Sequence, residues 1–181
     1  MGGTNDQLVF HFGLGIAYPN GNSQVLPFEK RYFSGGANSV RGWSVRSLGP
    51  GSYKDKDGKI NFITQTGDMK LDVNLEYRSY LFWKFNWALF VDAGNIWTIH
   101  EYADQAGGLF EWDQFYKQIA LAYGAGIRFD LSILLLRVDF GVKLYDPKRL
   151  SDANGTQWRT AANGLCWRDD MTFHFAIGYP F

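Results

Sequence analysis

The sequence is poor in cysteine, in net charge and in long apolar runs, and each shortage excludes a class of protein. The single cysteine, Cys166, excludes an internal disulfide and leaves no spacing for a zinc site. The 18 basic and 18 acidic residues cancel, so the chain lacks the positive charge that nucleic-acid binding requires. No apolar run approaches the roughly 20 residues of a membrane-spanning helix, and the polar segment 1–7 does not resemble a signal peptide.

The composition is rich in aromatic residues and glycine, which together favour β-structure. Aromatic residues make up 18% of the chain, and there are 21 glycines. Six segments alternate strictly between apolar side chains and polar or small ones, which is the pattern of β-strands with one apolar face. The predicted strands span about 8–18, 69–83, 85–97, 119–131, 133–145 and 171–181.

The predicted strands are long enough to cross a membrane. At ~3.3 Å per residue and a tilt near 45°, about eleven residues cover the ~25 Å apolar band of an outer-membrane barrel. The alternative is a soluble sandwich, which would bury the apolar face and would more often use shorter strands. The connections alternate between long and tight, as in outer-membrane barrels with short periplasmic turns, and this parity predicts a periplasmic C-terminus.

The fold class is therefore predicted as all-β, an antiparallel transmembrane β-barrel portion within a single domain, 1–181. Six strands are too few to close such a barrel, because bacterial barrels of this type start at about eight strands. An open edge in lipid would leave unpaired backbone groups that cost several kcal/mol each. We therefore expect the chain to be the C-terminal part of a longer protein or to close by oligomerising, and the missing signal peptide favours the first.

The longest connection, 19–68, contains a segment that ordinary turns do not have. Residues 27–53 carry five glycines and two prolines, which interrupt any helix or strand period, yet aromatic residues recur throughout. At the centre of this segment lies the motif V-R-G-W of residues 40–43. A long loop with so much aromatic surface is expected to pack on the strands rather than to be disordered.

Four motifs, in order along the chain, resemble the BamA-type outer-membrane assembly and translocation superfamily, which includes TamA-like proteins and two-partner secretion transporters. V-R-G-W resembles the loop signature Val-Arg-Gly followed by Phe or Tyr, with Trp43 as a departure. L-E-Y at 75–77 resembles a Leu-Glu-Phe/Tyr strand element, and F-V-D-A-G at 90–94 resembles the strand signature Phe-x-Asp-x-Gly. F-H-F-A-I-G at 173–178 resembles the closing strand.

The resemblance implies that residues 8–181 form the last six of the family's sixteen barrel strands together with the large sixth outer loop. It also implies that this loop folds into the lumen, where Arg41 meets Glu76 and Asp92. The alternation independently places both carboxylates on the lumen face, and a planar guanidinium suits two carboxylates better than an amine. The alternative is that Arg41 is a solvated loop charge. The candidate residues of the loop motif are Gly35, Gly36, Val40, Gly42 and Trp43.

The end of the chain resembles the signal by which outer-membrane proteins are recognised for insertion. Its alternative interpretation is simply a lipid-facing strand. We expect a glycine in this strand, Gly178, to kink it and to weaken its pairing. The residues of this predicted signal are Phe173, Phe175, Ile177, Gly178, Tyr179 and Phe181.

The function implied by the resemblance is insertion or translocation of proteins at the outer membrane of a Gram-negative bacterium, by local barrel opening and membrane destabilisation. The implied partners are outer-membrane lipid, client outer-membrane or secreted proteins, and the preceding strands and periplasmic repeats of the same protein; no nucleic acid is expected. No catalytic motif is present, so we expect neither an enzyme nor a cofactor or metal site. The alternatives are a passive pore or ligand-binding barrel with the loop as a lid, and an enzyme whose hydrolase lies upstream.

Overall fold

The computed structural model describes residues 6–20, 25–54, 63–151, 156–160 and 165–181. These residues form one antiparallel sheet in which each of six strands pairs with the next along the chain. The strands are β1 (Gln7–Ile16), β2 (Met69–Phe82), β3 (Phe85–Trp97), β4 (Ala120–Asp130), β5 (Leu135–Tyr145) and β6 (Met171–Ile177). The short helical segments are Phe28–Lys30, Phe115–Gln118, Pro147–Ser151 and Trp167–Asp170. Within this part of the chain, no helix has the length and apolarity to span a membrane.

The sheet exposes its apolar face and buries its charged face, which is the reverse of a soluble protein. The exposed apolar side chains of this outer face include Leu8, Phe10, Phe12, Leu14, Ile16, Leu89, Val91, Tyr123, Ile127, Phe140, Phe173, Phe175 and Ile177. The buried polar side chains of the opposite, inner face include Asp72, Asn74, Glu76, Asp92, Arg128, Arg137, Asp139 and His174. The soluble-sandwich alternative is therefore wrong, and an apolar face of this extent is typical of contact with lipid.

The long connection between β1 and β2 covers the inner face. Of the predicted loop 19–68, residues 21–24 and 55–62 lie outside the described residues. A buried apolar cluster joins this loop to β4 and consists of Val40, Trp43, Leu48, Ala120 and Ala122. The loop therefore fills the space that the buried face of the sheet encloses, and it brings the V-R-G-W motif onto the strands.

A tight turn at Trp83 and Lys84 joins β2 to β3 and marks one end of the sheet. Trp83 takes a positive φ of 53°, as a two-residue connection between antiparallel strands requires. Its ring lies 5.7 Å from that of Phe129, which in turn stacks on Phe85 at 4.7 Å. Aromatic rings gathered at strand ends are typical of the belts that sit at a membrane interface. We call this end of the sheet the tight-turn end.

The last strand is shorter than the alternation predicts. β6 ends at Ile177 rather than at residue 181, because Gly178 takes a left-handed φ of 86°. The N–H of Gly178 still donates to the carbonyl of Leu135 at 2.8 Å, and the chain then leaves the sheet. The Phe181 ring stacks on the ring of His11 in β1, with centroids 5.1 Å apart. The end of the chain thus reaches from one edge strand of the sheet to the other.

Candidate functional site

Arg41 contacts two acids on neighbouring strands of the inner face. Its Nε and Nη2 atoms donate to Oδ2 and Oδ1 of Asp92 on β3, each at 2.8 Å. Its Nη1 atom donates to Oε2 of Glu76 on β2 at 2.5 Å. All three side chains are fully buried. The structure therefore brings together the three residues that the sequence singled out, and the arginine bridges β2 and β3.

The guanidinium of Arg41 is held in its charged form. Burial by itself lowers its pKa, but the hydrogen bonds to Asp92 and the negative charges of Asp92 and Glu76 outweigh burial and raise the pKa above its ordinary value. A general acid or base needs a pKa near the working pH. The cluster is therefore suited to holding a loop in place and not to transferring protons.

Further arginines contact the acids of the inner face. Arg128 on β4 donates from Nη1 to Asp139 at 2.6 Å and from Nη2 to Glu76 at 3.0 Å. Arg78 on β2 donates from Nε to Glu76 at 2.7 Å, and Nε of Arg137 on β5 lies 3.5 Å from Asp139. None of these residues was among the candidates predicted from the sequence. The signal that could have found them is the alternation, which places every one of them on the lumen face.

Side chains of the sheet also hold the backbone of the motif. The N–H of Arg41 donates to Oδ2 of Asp92 at 3.0 Å. Nε2 of His174 lies 3.0 Å from the carbonyl oxygen of Arg41, and Oγ1 of Thr172 donates to the carbonyl of Gly42 at 2.9 Å. Because His174 and Thr172 lie on β6, the motif is fixed to both the middle and the edge of the sheet.

A second polar group of the inner face holds the residue just before the motif. Oγ of Ser39 donates to Oδ1 of Asp72 at 2.8 Å. Nδ2 of Asn74 donates to the carbonyl of Ser39 and to Oδ1 of Asp92, each at 2.9 Å. Asn74 therefore couples the loop backbone to the same carboxylate that Arg41 contacts.

Glycines allow the loop to approach the sheet this closely. A Cβ on Gly141 of β5 would lie 2.0 Å from the carbonyl oxygen of Arg41. A Cβ on Gly42 would lie 2.7 Å from Cβ of Ala122 in β4. Both distances are shorter than non-bonded atoms tolerate. Neither Gly42 of the motif nor Gly141 of β5 therefore has room for a side chain.

The other residues of the predicted loop motif pack or turn the loop. Val40 and Trp43 are buried in the cluster that joins the loop to β4. Nζ of Lys143 lies 5.3 Å from the Trp43 ring, within range of a cation–π contact. Gly35 and Gly36 adopt φ values of 93° and 103°, which favour glycine, at the turn that precedes the motif.

The residues of the predicted C-terminal signal divide between two environments. Three of them are exposed on the outer face: Phe173, Phe175 and Ile177. Tyr179 and Phe181 do not continue that face, so the predicted alternation to residue 181 is wrong. The positive φ of Gly178 redirects the chain, so that the Tyr179 ring lies 4.6 Å from the guanidinium of Arg78 and Phe181 stacks on His11.

Comparisons with known proteins agree with this architecture. A family model described as the Omp85 superfamily domain matches residues 3–181. The outer membrane protein assembly factor BamA of Neisseria meningitidis serogroup B is 32% identical to the chain over 101 residues. That match covers 51% of this chain and 12% of the relative, so the chain spans only a small part of the relative's length.

Proposed function

Since the chain belongs to the Omp85 superfamily, we propose that it forms part of a transmembrane β-barrel in the outer membrane of a Gram-negative bacterium. We further propose that the whole protein inserts or translocates other proteins there. Two findings support this proposal. The apolar outer face of the sheet suits lipid, and the BamA relative is named as an outer-membrane assembly factor.

The contact of Arg41 with Glu76 and Asp92 is the observation that carries the proposal. It fixes a long loop inside the sheet, and the acids are linked through Arg128 to β4 and β5. Residues linked by such buried ion pairs move together, because separating them would leave a buried charge without its partner, which is costly. Local opening of the barrel therefore takes place at an edge of this sheet, while the loop and the middle strands stay together.

The edges of the sheet make the proposal depend on further strands. Within the described residues, β1 and β6 each pair on one side only. Unpaired backbone groups in lipid cost several kcal/mol each, so each edge must pair with strands outside this chain, in the same protein or in another copy.

In the proposed orientation the tight turns face the periplasm, and so does the C-terminus. Client proteins and outer-membrane lipid are the proposed partners, and the mechanism uses no cofactor and no catalytic residue.

Catalysed folding of a client tests this function directly. The full-length protein is placed in liposomes, and the folding rate of an unfolded client barrel is compared with the rate in empty liposomes. We expect faster folding with the wild-type protein and a smaller acceleration with Arg41→Ala. Arg46→Ala is the matched control, because Arg46 lies in the same loop and contacts the Phe33 ring instead of an acid. Ion conductance without any acceleration of folding would support the passive-pore alternative and overturn the proposal.

A further inference from the structure

A pocket lies at the tight-turn end of the inner face, beside the contacts of Arg78 and Arg128 with Glu76. It has a volume of about 160 Å³. A bound water needs roughly 10 to 15 Å³ of such space, so the pocket has room for a small ion with its hydrating waters. Two of its residues, Gln7 and Tyr179, are exposed, so the pocket is reached from solvent. Its lining residues are Gln7, Arg78, Ser79, Asn86, Arg128 and Tyr179.

The two arginines of this pocket have donors that the protein does not use. Nη2 of Arg78 and Nε of Arg128 are buried and have no hydrogen-bond partner among the described residues. Other donors of these two guanidinium groups bond to Glu76 and Asp139, and the Tyr179 ring lies 4.6 Å from the guanidinium of Arg78. A buried N–H without an acceptor costs about 1 to 3 kcal/mol, and more when the group is charged. Such donors call for an acceptor that the described residues do not supply.

The charge balance of the ion-pair network points the same way. Three of its arginines, Arg41, Arg128 and Arg137, are buried and are matched in number by three buried acids, Glu76, Asp92 and Asp139. The fourth arginine, Arg78, is only partly buried, lines the pocket and shares Glu76 with the others, so the network has one positive charge in excess and Arg78 brings it to the pocket. Asp6 is exposed and accepts a hydrogen bond from the Ser79 hydroxyl at 2.7 Å. An anion bound in the pocket would balance the charge of Arg78.

We propose that this pocket binds a small oxyanion, a phosphate or carboxylate group, between Arg78 on β2 and Arg128 on β4. Guanidinium groups match the geometry of both anions, and the side-chain amide of Asn86 suits a remaining oxygen. Register pairing supports the placement, since Asn86 lies directly opposite Arg128 and Gln7 lies directly opposite Arg78.

Anion titrations of the full-length protein in detergent test the proposal. Inorganic phosphate and acetate are titrated separately at constant ionic strength, with chloride as the background, and binding is followed by calorimetry. We expect saturable binding of at least one of the two anions. Phosphate alone would identify a phosphate group as the natural ligand class, and binding of both would identify oxyanions in general. Failure of both anions to bind above the chloride background would overturn the proposal.

Substitutions in and beside the pocket test whether the anion binds there. Arg78→Gln removes the partnerless donor and should weaken binding by about tenfold or more. If that variant does not fold, Asn86→Asp decides, because it leaves every arginine in place and puts a carboxylate where the anion would sit. Asn86→Asp should abolish anion binding and raise the thermal midpoint without added anion. Lys84→Gln, in the adjacent tight turn, is the control and should bind as the wild type does.

Two results with these variants would overturn the site. The first is anion binding that survives Asn86→Asp, because the carboxylate would then not compete for the same arginines. The second is an equal loss of binding in Lys84→Gln, because the anion would then respond to the general charge at this end of the sheet and not to the pocket.

Discussion

Arg41 and Asp92 lie 51 positions apart in the chain and form a two-pronged contact, with Nε to Oδ2 and Nη2 to Oδ1 both at 2.8 Å. The Phe90 ring closes one side of the guanidinium, with its centroid 3.5 Å from Cζ. The two hydrogen bonds therefore fix the orientation of the guanidinium plane, and the Phe90 ring packs against it. This contact defines where the long loop sits, and it makes the loop's position sensitive to single substitutions on the strands.

The close approach at Gly141 predicts that one added methyl group displaces the loop. In Gly141→Ala the new Cβ would meet the carbonyl oxygen of Arg41 at 2.0 Å, so the motif must move away from β5. We expect a loss of about 1 to 3 kcal/mol, the usual cost of overpacking, and faster proteolysis within 35–50. Gly13→Ala is the control, because its nearest neighbour is the His11 ring at 3.2 Å and not the loop motif. Equal protection of the loop in both variants would show that the motif does not touch β5.

The inverted faces of the sheet predict opposite environments for adjacent residues of β3. Leu89 is 49% exposed on the outer face, whereas Ala88 is fully buried on the inner face. Spin labels are attached at Leu89→Cys and Ala88→Cys in a Cys166→Ser background, because Cys166 is itself exposed. In liposomes, a lipid-soluble quencher should reach the label at 89 and not the label at 88. Protection at 89 with access at 88 would reverse the assignment of the faces.

The ion pair of Arg159 and Asp170 predicts acid sensitivity of the segment before β6. Burial by itself raises the pKa of Asp170, but hydrogen bonds from Arg159 and from the N–H of Cys166, the latter at 2.8 Å, outweigh burial and lower the pKa below its ordinary value. A carboxylate whose folded-state pKa is depressed stabilises the fold above its unfolded pKa, about 3.9. That contribution is lost as the pH falls through the folded-state pKa.

Hydrogen exchange of residues 165–170, corrected for the intrinsic pH dependence, measures this effect. In the wild type we expect these amides to be protected at neutral pH and to lose that protection as the pH falls below about 4. Asp170→Asn should be unprotected already at neutral pH and should show no further acid transition. Asp169→Asn is the control, because the Asp169 side chain is exposed. An acid transition that persists in Asp170→Asn would assign it to another group.

The sequence predicted the faces of the strands because side-chain alternation is a local property of the backbone. The period of two placed Glu76 and Asp92 on the inner face without any knowledge of the fold, and the all-β fold class is confirmed. The meeting of these acids with Arg41 came from the family resemblance, because no local pattern shows where a 50-residue loop docks. The partners of Arg128 were missed because they depend on the register of four strands, β2 to β5, which one sequence does not reveal.

The end of the last strand was predicted wrongly from the sequence, for a different reason. The alternation of apolar residues continues to Phe181, so the pattern predicts strand to the last residue. The strand stops at Ile177 because a single backbone dihedral, φ at Gly178, turns the chain inward. Glycine permits this angle without requiring it, and the stacking of Phe181 on His11 accompanies it. Long-range contacts of this kind leave no trace in the periodicity.

A double-mutant cycle on Arg41 and Asp92 tests the central claim most directly. In the full-length protein, loop docking is measured by native-state proteolysis within 35–50 for Arg41→Ala, Asp92→Asn and the double variant, with Arg46→Ala as the control. Each single change leaves a buried group uncompensated and should weaken docking by ~3 to 5 kcal/mol if the cluster stays dry. We expect the double variant to be little worse than either single one, because both substitutions remove the same contact. Additive losses would show that the two residues act independently, and would contradict a loop held in the lumen by this pair.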